Sequence, residues 1–233
     1  MASKIALVTG ANKGIGYDIV KALLESSKPF HVLLGSRSLV RGEEAADKLR
    51  GERAGSSNTV EALHQNKSGR IEALINNAGL TKDIEFVNNR TSLRDSFTGA
   101  YDINVAGTHV LTYTFLPLLL KSADPRLVFV SGLDMFVNCA TGDFPLPPDP
   151  ERGWSEKMAF ETVGYRCTKA AFNILMLDYH WKLQKDGVKV WTVLPGFLET
   201  DLGGGRELVK EMGAGHPSLG GQLMKRIVDG ERD

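Results

Sequence analysis

Residues Lys4–Val8 (KIALV) lead directly into TGANKGIG at Thr9–Gly16, and the chain then continues in a helix-like pattern. The short apolar run predicts a buried strand, and the glycine-rich stretch predicts a tight turn at the start of a helix. Gly10, Gly14 and Gly16 suit places where a side chain would obstruct the turn, an approaching phosphate or helix–strand packing. Because amides at a helix start favour negative charge, this stretch predicts a phosphate site.

Further short apolar runs, each followed by a helical pattern, are typical of parallel strands buried on both faces. They are Val32–Leu34, Ala73–Ile75, Leu127–Val130 and Val188–Leu194, with another strand predicted at Thr59–Leu63. Helices are predicted from an N-cap at Ser38 to Arg50, with Gly51 as the stop, and over Asn104–Leu116 and Tyr165–Lys185. This alternation predicts an α/β fold, a doubly wound parallel sheet in a single domain spanning residues 1–233.

The interval between the third and fourth strands is too short for the usual connection. Only His64–Arg70 separate the predicted third strand from Ile71–Asn76, whereas a parallel crossover normally needs a dozen or more residues and usually includes a helix. Either the third strand is lost or distorted, or the sequence lacks a segment, and we favour a missing crossover helix. Its absence is expected to leave Val32 and Leu34 facing water or a partner, and to make the fold marginally stable.

Composition and charge exclude several classes of function. The chain has 28 basic residues (lysine and arginine) and 28 acidic residues (aspartate and glutamate), so its formal net charge is zero. Without a basic surface, a nucleic-acid partner is not expected. The two cysteines, Cys139 and Cys167, provide neither a disulfide framework nor a metal site, which suits a reducing compartment. The longest apolar stretch, about Phe115–Leu120, is too short to span a bilayer. Because the first strand leaves no room for a signal peptide, we expect a cytoplasmic protein without a membrane partner.

Tyr165 and Lys169, in the sequence YRCTK, are four residues apart and therefore share one face of a helix. A phenol with an ordinary pKa of about 10 is a poor acid or base at neutral pH. A neighbouring ammonium favours the phenolate and lowers that pKa, which brings the phenol into range for proton exchange with a substrate oxygen. The pair predicts an acid–base site.

Together these stretches resemble the short-chain dehydrogenase/reductase family over nearly the whole sequence. The matching stretches are TGANKGIG, NNAG at Asn76–Gly79, Asn104 in DINVAG, Ser131 at the end of the fifth strand, the pair Tyr165 and Lys169, and Pro195-Gly196 with Thr200. The resemblance implies a Rossmann fold whose final strand is expected to be absent here. It also implies an oxidoreductase that transfers a hydride between NADP(H) and the carbonyl/alcohol pair of a small or medium organic substrate.

The resemblance assigns roles to individual residues. Tyr165 is expected to exchange the proton with the substrate oxygen, and Lys169 to hold the nicotinamide ribose and lower the pKa of the tyrosine. Asn104 is expected to support the lysine through its backbone and a water, and Ser131 to orient the substrate oxygen. The residues expected to bind the cofactor are Gly10, Asn12, Lys13, Gly14, Ile15, Gly16, Arg37, Asn77, Ala78, Gly79, Tyr165, Lys169, Pro195, Gly196 and Thr200.

The sequence departs from the family at the catalytic serine. Many relatives carry two serines at the end of the fifth strand, the second being catalytic, whereas this chain has Val130-Ser131-Gly132. Strict alignment places Gly132 at the catalytic position, and Ser131 can serve only if the strand end shifts by one residue. Loss of the hydroxyl would slow the enzyme by about 100- to 1,000-fold, by analogy with oxyanion-hole donors.

Two alternatives follow from this departure and from the short crossover. The chain is either an active reductase or a catalytically weak, cofactor-binding or regulatory protein on the same scaffold. A defective or incompletely spliced reading of an ordinary reductase gene is a third interpretation.

Charge after the second strand predicts the phosphorylated cofactor. NAD sites usually place an acidic residue there, whereas a 2′-phosphate requires cations. Here the strand is followed by GSRSLVR, which contains Arg37 and Arg41, and Lys13 in the glycine turn adds a third positive charge. The aspartate that the family usually has after the third strand, against the adenine, has no counterpart in ALHQNKSG.

A long insertion between Ser131 and Tyr165 includes Gly142–Trp154. In carbonyl-reductase-like members such an insertion covers a helix otherwise used for oligomerisation, so a monomer or homodimer is expected. The substrate pocket is expected along Leu133–Cys139, the insertion and the segment after Gly196. Its aromatic and aliphatic candidates, which favour an apolar substrate, are Phe136, Trp154, Phe160, Phe197 and Leu198.

Overall fold

The computed structural model describes residues 3–63, 69–132, 162–202 and 205–231. Parallel strands form one six-stranded sheet in the order β3-β2-β1-β4-β5-β6. The strands are β1 (Lys4–Val8), β2 (Phe30–Leu34), β3 (Thr59–Ala62), β4 (Ala73–Asn76), β5 (Arg126–Val130) and β6 (Lys189–Val193). The predicted doubly wound parallel sheet is confirmed, and every predicted strand lies within two residues of its observed bounds.

Helices follow each strand except β3 among the described residues. They are α1 (Gly14–Leu24), α2 (Leu39–Glu52), α3 (Asp83–Val87), α4 (Leu93–Tyr101), α5 (Thr108–Leu119), α6 (Val163–Leu183), α7 (Arg206–Glu211) and α8 (Ser218–Val228), with a π-helix at Asp102–Gly107 between α4 and α5 and a 3₁₀ turn at Gln184–Asp186 after α6. Ser38 caps α2 as predicted, because its hydroxyl accepts a hydrogen bond from the Arg41 amide. Gly51 does not end α2, which continues to Glu52. The predicted helix start at Asn104 is wrong, since Asn104 lies inside the π-helix.

Two apolar layers cover the sheet. On one face, side chains of α1, α2 and α8 pack against alternate strand residues such as Val8 and Val128. On the other face, α5 and α6 pack against the neighbouring residues of the same strands. There Phe129 of β5 meets Phe172 of α6 edge to face, with ring centres 5.3 Å apart. This second layer holds α6 over the carboxyl end of β5.

The carboxyl-terminal helix closes the fold against the first helix. Ser26, just after α1, donates a hydrogen bond of 2.8 Å to the buried carboxylate of Asp229, just after α8. Among the described residues no seventh strand pairs with β6, in agreement with the sequence-based expectation. None of the helices in those ranges is long and apolar enough to cross a membrane.

The connection from β3 to β4 contains no helix among the described residues 63 and 69–72, while residues 64–68 lie outside them. The expected exposure of Val32 and Leu34 is wrong, because both side chains are fully buried. Side chains alternate between the two faces of a strand. That alternation places Val32 and Leu34 on the face that α1 and α2 cover, not on the face where a crossover helix would pack.

The opposite face of β2 and β3 carries mainly polar side chains. Thr59 and Glu61 are exposed, and His31 contacts both of them, through Nδ1 at 2.8 Å from Thr59 Oγ1 and through Nε2 at 3.3 Å from the Glu61 carboxylate. Leu33, the apolar residue of β2 on this side, is nevertheless buried. A short crossover therefore leaves polar surface rather than an apolar stripe in water, so the expectation of marginal stability loses its physical basis.

Substitutions on the two faces should differ sharply in cost. Leu34→Ala removes a fully buried side chain and should lower the free energy of unfolding by about 2–5 kcal/mol. Glu61→Ala, in the adjacent strand but on the polar face, should change it by no more than about 0.5 kcal/mol. Urea unfolding followed by circular dichroism measures both. Equal costs would contradict this assignment of the two faces.

Candidate active site

The glycine turn after β1 is joined to the end of β4. The Thr9 hydroxyl accepts hydrogen bonds from the backbone amides of Asn77 (3.0 Å) and Ala78 (2.9 Å). The side-chain amide of Asn77 donates in return to the Thr9 carbonyl at 2.9 Å. β1 and β4 are neighbours at the point where the strand order reverses, and ligands of open α/β sheets bind in the crevice at that point.

Two glycines of the turn lie where no side chain fits. Gly10 has φ +62°, and a Cβ there would lie 2.8 Å from the Ala78 Cα. A Cβ at Gly16 would lie 2.5 Å from both the Gly10 carbonyl oxygen and the Asn77 side-chain nitrogen. The turn therefore presents bare backbone at the amino end of α1, which is the arrangement that binds a pyrophosphate.

A cleft of about 660 Å³ opens beside this turn, a volume that fits a dinucleotide. The predicted cofactor residues that line it are Gly10, Asn12, Lys13, Gly14, Ile15, Arg37, Asn77, Ala78, Gly79 and Thr200. Gly16 lies buried under the turn instead. Pro195 lies beside Gly220, and Gly196 has φ +89°, so these two shape the loop after β6 rather than line the cleft.

The cations predicted to select a 2′-phosphate differ in their surroundings. Lys13 pairs with Asp201 across the cleft at 2.8 Å, and this ammonium holds the pKa of the Asp201 carboxyl below its usual range. Arg37 is exposed at the cleft and forms no ion pair with the described residues. Arg41 lies in the adjoining groove between α1 and α2. Arg37 is therefore the most available of the three for an incoming phosphate.

Tyr165 and Lys169 lie one turn apart on α6, beside the end of β5. Lys169 Nζ donates a hydrogen bond of 2.8 Å to the Val130 carbonyl and lies 5.6 Å from the centre of the Tyr165 ring. Burial lowers the pKa of Lys169 to about 8 and raises the pKa of Tyr165. The expected lowering of the Tyr165 pKa is wrong for this structure, because burial disfavours the phenolate while the ammonium is directed at Val130.

Asn104 ties the end of β4 to the helix that carries the tyrosine. Its side-chain oxygen accepts from the Leu80 amide at 2.9 Å, and its nitrogen donates to the Leu80 carbonyl at 2.8 Å. The same nitrogen donates to Thr168 Oγ1 on α6 at 3.0 Å. Asn104 is fully buried inside the π-helix, a local widening of the helix that often marks a functional site.

Ser131 and Gly132 have different surroundings at the end of β5. Ser131 Oγ is buried and has no hydrogen-bond partner among the described residues. Gly132 lies against Tyr165 and Lys169, since a Cβ there would be 3.3 Å from the Tyr165 hydroxyl oxygen and 3.2 Å from Lys169 Cγ. The structure thus brings Gly132, not Ser131, to the tyrosine, and a serine role for Ser131 stays a prediction.

Sequence reasoning does not single out Thr9, Thr168 or Asp201, nor Asp83, whose carboxylate accepts hydrogen bonds from the Gly164 and Tyr165 amides. Thr9 stands in the quoted turn, and its place before Gly10 is the one signal that could have found it. The others act through contacts between segments far apart in the chain, for which no local pattern exists. The adenine-side stretch, the insertion and the pocket residues Phe136, Trp154 and Phe160 lie wholly or mostly outside the described residues. Two further pocket candidates lie inside the described residues: Phe197 is exposed and Leu198 is buried.

Residues 4–142 match the family described as short chain dehydrogenase. The chain belongs to the short-chain dehydrogenase/reductase family. The short-chain dehydrogenase/reductase tropE of Talaromyces stipitatus is 35% identical over 251 aligned positions, which cover 99% of this chain and 92% of that protein. Because 251 positions exceed the 233 residues of this chain, the alignment contains gaps within this chain.

Solved structures support the fold of this family member. The 3-oxoacyl-[acyl-carrier protein] reductase of Brucella melitensis, in complex with NAD, has a TM-score of 0.74 at 20% identity over 99% of this chain and 92% of that chain. The alcohol dehydrogenase of Thermococcus sibiricus, complexed with 5-hydroxy-NADP, has a TM-score of 0.73 at 22% identity over 98% and 91%. These identities support the fold alone, and the two proteins hold different cofactors.

The position of Gly132 yields a test with a matched pair of variants. Gly132→Ala and Gly132→Ser add the same Cβ beside Tyr165, but only the serine adds a hydroxyl. Turnover of Gly132→Ser should therefore exceed that of Gly132→Ala, by about 100- to 1,000-fold if the hydroxyl binds the developing oxyanion. Steady-state kinetics over a panel of carbonyl compounds measure the ratio. Equal turnover of the two variants would show that no serine role has been lost at this position.

Proposed function

We propose that this family member transfers a hydride between NADP(H) and the carbonyl/alcohol pair of a small or medium organic substrate. One juxtaposition carries the proposal. Gly79 lines the cleft, and a Cβ at Gly79 would lie 3.4 Å from Asn104 Oδ1 and 3.7 Å from Lys169 Nζ. The cleft that fits a dinucleotide therefore ends against the residues that the family uses for proton transfer.

The side chains divide the chemistry between them. The nicotinamide cofactor supplies or accepts the hydride when it is bound. Tyr165 donates its phenol proton to the carbonyl oxygen in reduction and recovers it in oxidation. Because burial raises the pKa of Tyr165, the phenol is protonated at neutral pH but is a weak acid, so the neighbouring Lys169 ammonium must stabilise the phenolate as the proton leaves.

The two residues next to the tyrosine keep it in place and serve the cofactor. Lys169 holds the nicotinamide ribose, and the 3.7 Å from its Nζ to a Cβ built at Gly79, which lines the cleft, supports this role. Asn104 fixes the loop at Leu80 to α6 through its side chain. Its proposed support of the lysine runs through its backbone and a water. Ser131 is the proposed partner of the substrate oxygen, although its Oγ contacts no described polar group.

Tyr165→Phe tests the mechanism. Removal of one hydroxyl should abolish reduction of any carbonyl that the wild-type protein reduces, because no proton donor then remains at the substrate oxygen. Cofactor affinity and the circular dichroism spectrum should stay unchanged, since the ring is retained. The measurement is turnover at saturating cofactor beside a cofactor titration. Retention of most of the turnover would refute the tyrosine mechanism.

Arg37→Ala tests the choice of cofactor. Loss of one charged hydrogen bond to a 2′-phosphate, at roughly 1.5–3 kcal/mol, should weaken NADPH binding by at least about tenfold and leave NADH binding unchanged. Lys13→Ala should have a smaller effect, because Asp201 already pairs with Lys13. Fluorescence titration of wild type and both variants with the two cofactors decides. Equal affinity of the wild-type protein for NADPH and NADH would remove the proposal.

A second candidate function is a catalytically weak, cofactor-binding or regulatory protein on the same scaffold. The observation that favours it is Gly132, which leaves the tyrosine without a neighbouring serine hydroxyl at that position. Measurement of NADPH binding together with carbonyl turnover distinguishes the two functions. A reductase binds NADPH and turns over at least one carbonyl in the panel, whereas the alternative binds NADPH equally well and turns over none.

The remaining expectations are proposals of the same kind. We propose that residues 1–233 form one domain, that the protein acts in the cytoplasm, and that it is a monomer or homodimer. A small-molecule substrate is the proposed partner.

A further inference from the structure

The carboxylate of Asp83 lies at the amino end of the helix that carries Tyr165. Asp83 is the first residue of α3 and is only 3% exposed. Its Oδ1 accepts a hydrogen bond of 2.9 Å from the Gly164 amide, and its Oδ2 accepts one of 2.9 Å from the Tyr165 amide. One side chain from the segment after β4 thus binds the first turn of α6, 81 and 82 residues further along the chain.

Both sides of this contact are closely fitted. Thr81 donates a hydrogen bond of 2.8 Å from its hydroxyl to Asp83 Oδ2, which fixes the carboxylate from behind. On the other side, a Cβ at Gly164 would lie 2.7 Å from Asp83 Oδ1, so the approach requires glycine. A carboxylate at this end also complements the partial positive charge of a helix amino terminus.

The contact replaces the cap that α6 would otherwise need. The first amides of a helix have no acceptor within the helix, and the residue before it usually supplies one from its side chain. The Thr162 side chain does not cap α6. Asp83 satisfies two of these amides instead, and one of them belongs to Tyr165 itself. The backbone of the tyrosine is therefore attached to the β4 side of the cleft.

We propose that Asp83 is a positioning residue for Tyr165: its carboxylate fixes the start of α6 so that the phenol stands at the proton-transfer position. The inference rests on the proposed acid–base role of Tyr165. Asp83 touches no reacting atom in this arrangement, and it acts through the backbone of the tyrosine. Displacement of a reacting group by about 1 Å can cost a factor of about 100 in rate, which sets the size of the expected effect.

Three variants perturb the contact in different ways. Asp83→Ala removes both acceptors, Asp83→Asn keeps one acceptor oxygen, and Gly164→Ala keeps the carboxylate but pushes it away from the amides. Turnover should fall by about 10- to 100-fold in Asp83→Ala and Gly164→Ala, and less in Asp83→Asn. The dissociation constant for NADPH should stay within about twofold, because the glycine turn is untouched.

Amide hydrogen exchange provides a readout that does not depend on activity. In Asp83→Ala the amides of Gly164 and Tyr165 should exchange at least about tenfold faster, while amides in the middle of α6 keep their wild-type rates. Ser92→Ala is the matched control. Ser92 caps α4 through the Asp95 amide at 3.0 Å, away from the cleft, so its removal costs a helix cap without changing turnover.

The outcomes separate this inference from the proposed function. Unchanged turnover and unchanged exchange in Asp83→Ala and Gly164→Ala would overturn the positioning role, even if Tyr165→Phe is inactive. Equal losses of turnover in Ser92→Ala and Asp83→Ala would overturn it as well, because they would indicate a general loss of stability. If Tyr165→Phe stays active, the tyrosine mechanism fails. Faster exchange of the Gly164 and Tyr165 amides in Asp83→Ala would then show that Asp83 is a structural helix cap without a positioning role.

Discussion

The close approach of the glycine turn to the end of β4 is the constraint on which the site depends. Gly10 lies against the Ala78 backbone, and Gly16 lies against Gly10 itself, at distances that leave no room for a Cβ. The Thr9 hydroxyl fixes this contact by accepting hydrogen bonds from the Asn77 and Ala78 amides, just after β4. A larger residue at either glycine would separate β1 from β4 and turn α1 away. The cleft, the direction of α1 and its packing against α8 all follow from this one contact.

The fold is readable from the sequence because most of its strands are short apolar runs followed by a helical pattern, and both signals are local. The side that each residue faces is harder to derive. Val32 and Leu34 were expected on the uncovered side of β2, but they alternate with Leu33 and lie beneath α1 and α2. The polar residues Thr59 and Glu61 carry the relevant signal, since their alternation with buried Val60 and Ala62 marks the exposed side of β3. Val32 and Leu34 of β2 pair with Val60 and Ala62 of β3, so the alternation in β3 indicates which face of β2 is buried.

The candidate site is readable only where its residues belong to one local motif. The spacing of Tyr165 and Lys169 on a helix is a property of the sequence, and the structure places them together. The pKa of the tyrosine is not such a property, because it depends on burial, and the Lys169 ammonium donates its hydrogen bond to the Val130 carbonyl. Contacts between segments far apart in the chain cannot be derived from the local sequence either. Asp201 pairs with Lys13 from 188 residues away, and nothing in the local sequence of either residue indicates it.

The anchors of α6 explain how the fold tolerates glycine at position 132. Two described groups hold the start of the helix, the Asp83 carboxylate at its first turn and the Asn104 side chain on Thr168. Both come from the segments that follow β4, not from the end of β5. A serine side chain at Gly132 would add a hydroxyl for the substrate, but it is not needed to place the tyrosine. The start of α6 is thus held from the β4 side, while the end of β5 contacts Lys169 through the Val130 carbonyl, so glycine at position 132 removes a hydroxyl without removing either anchor of the helix start.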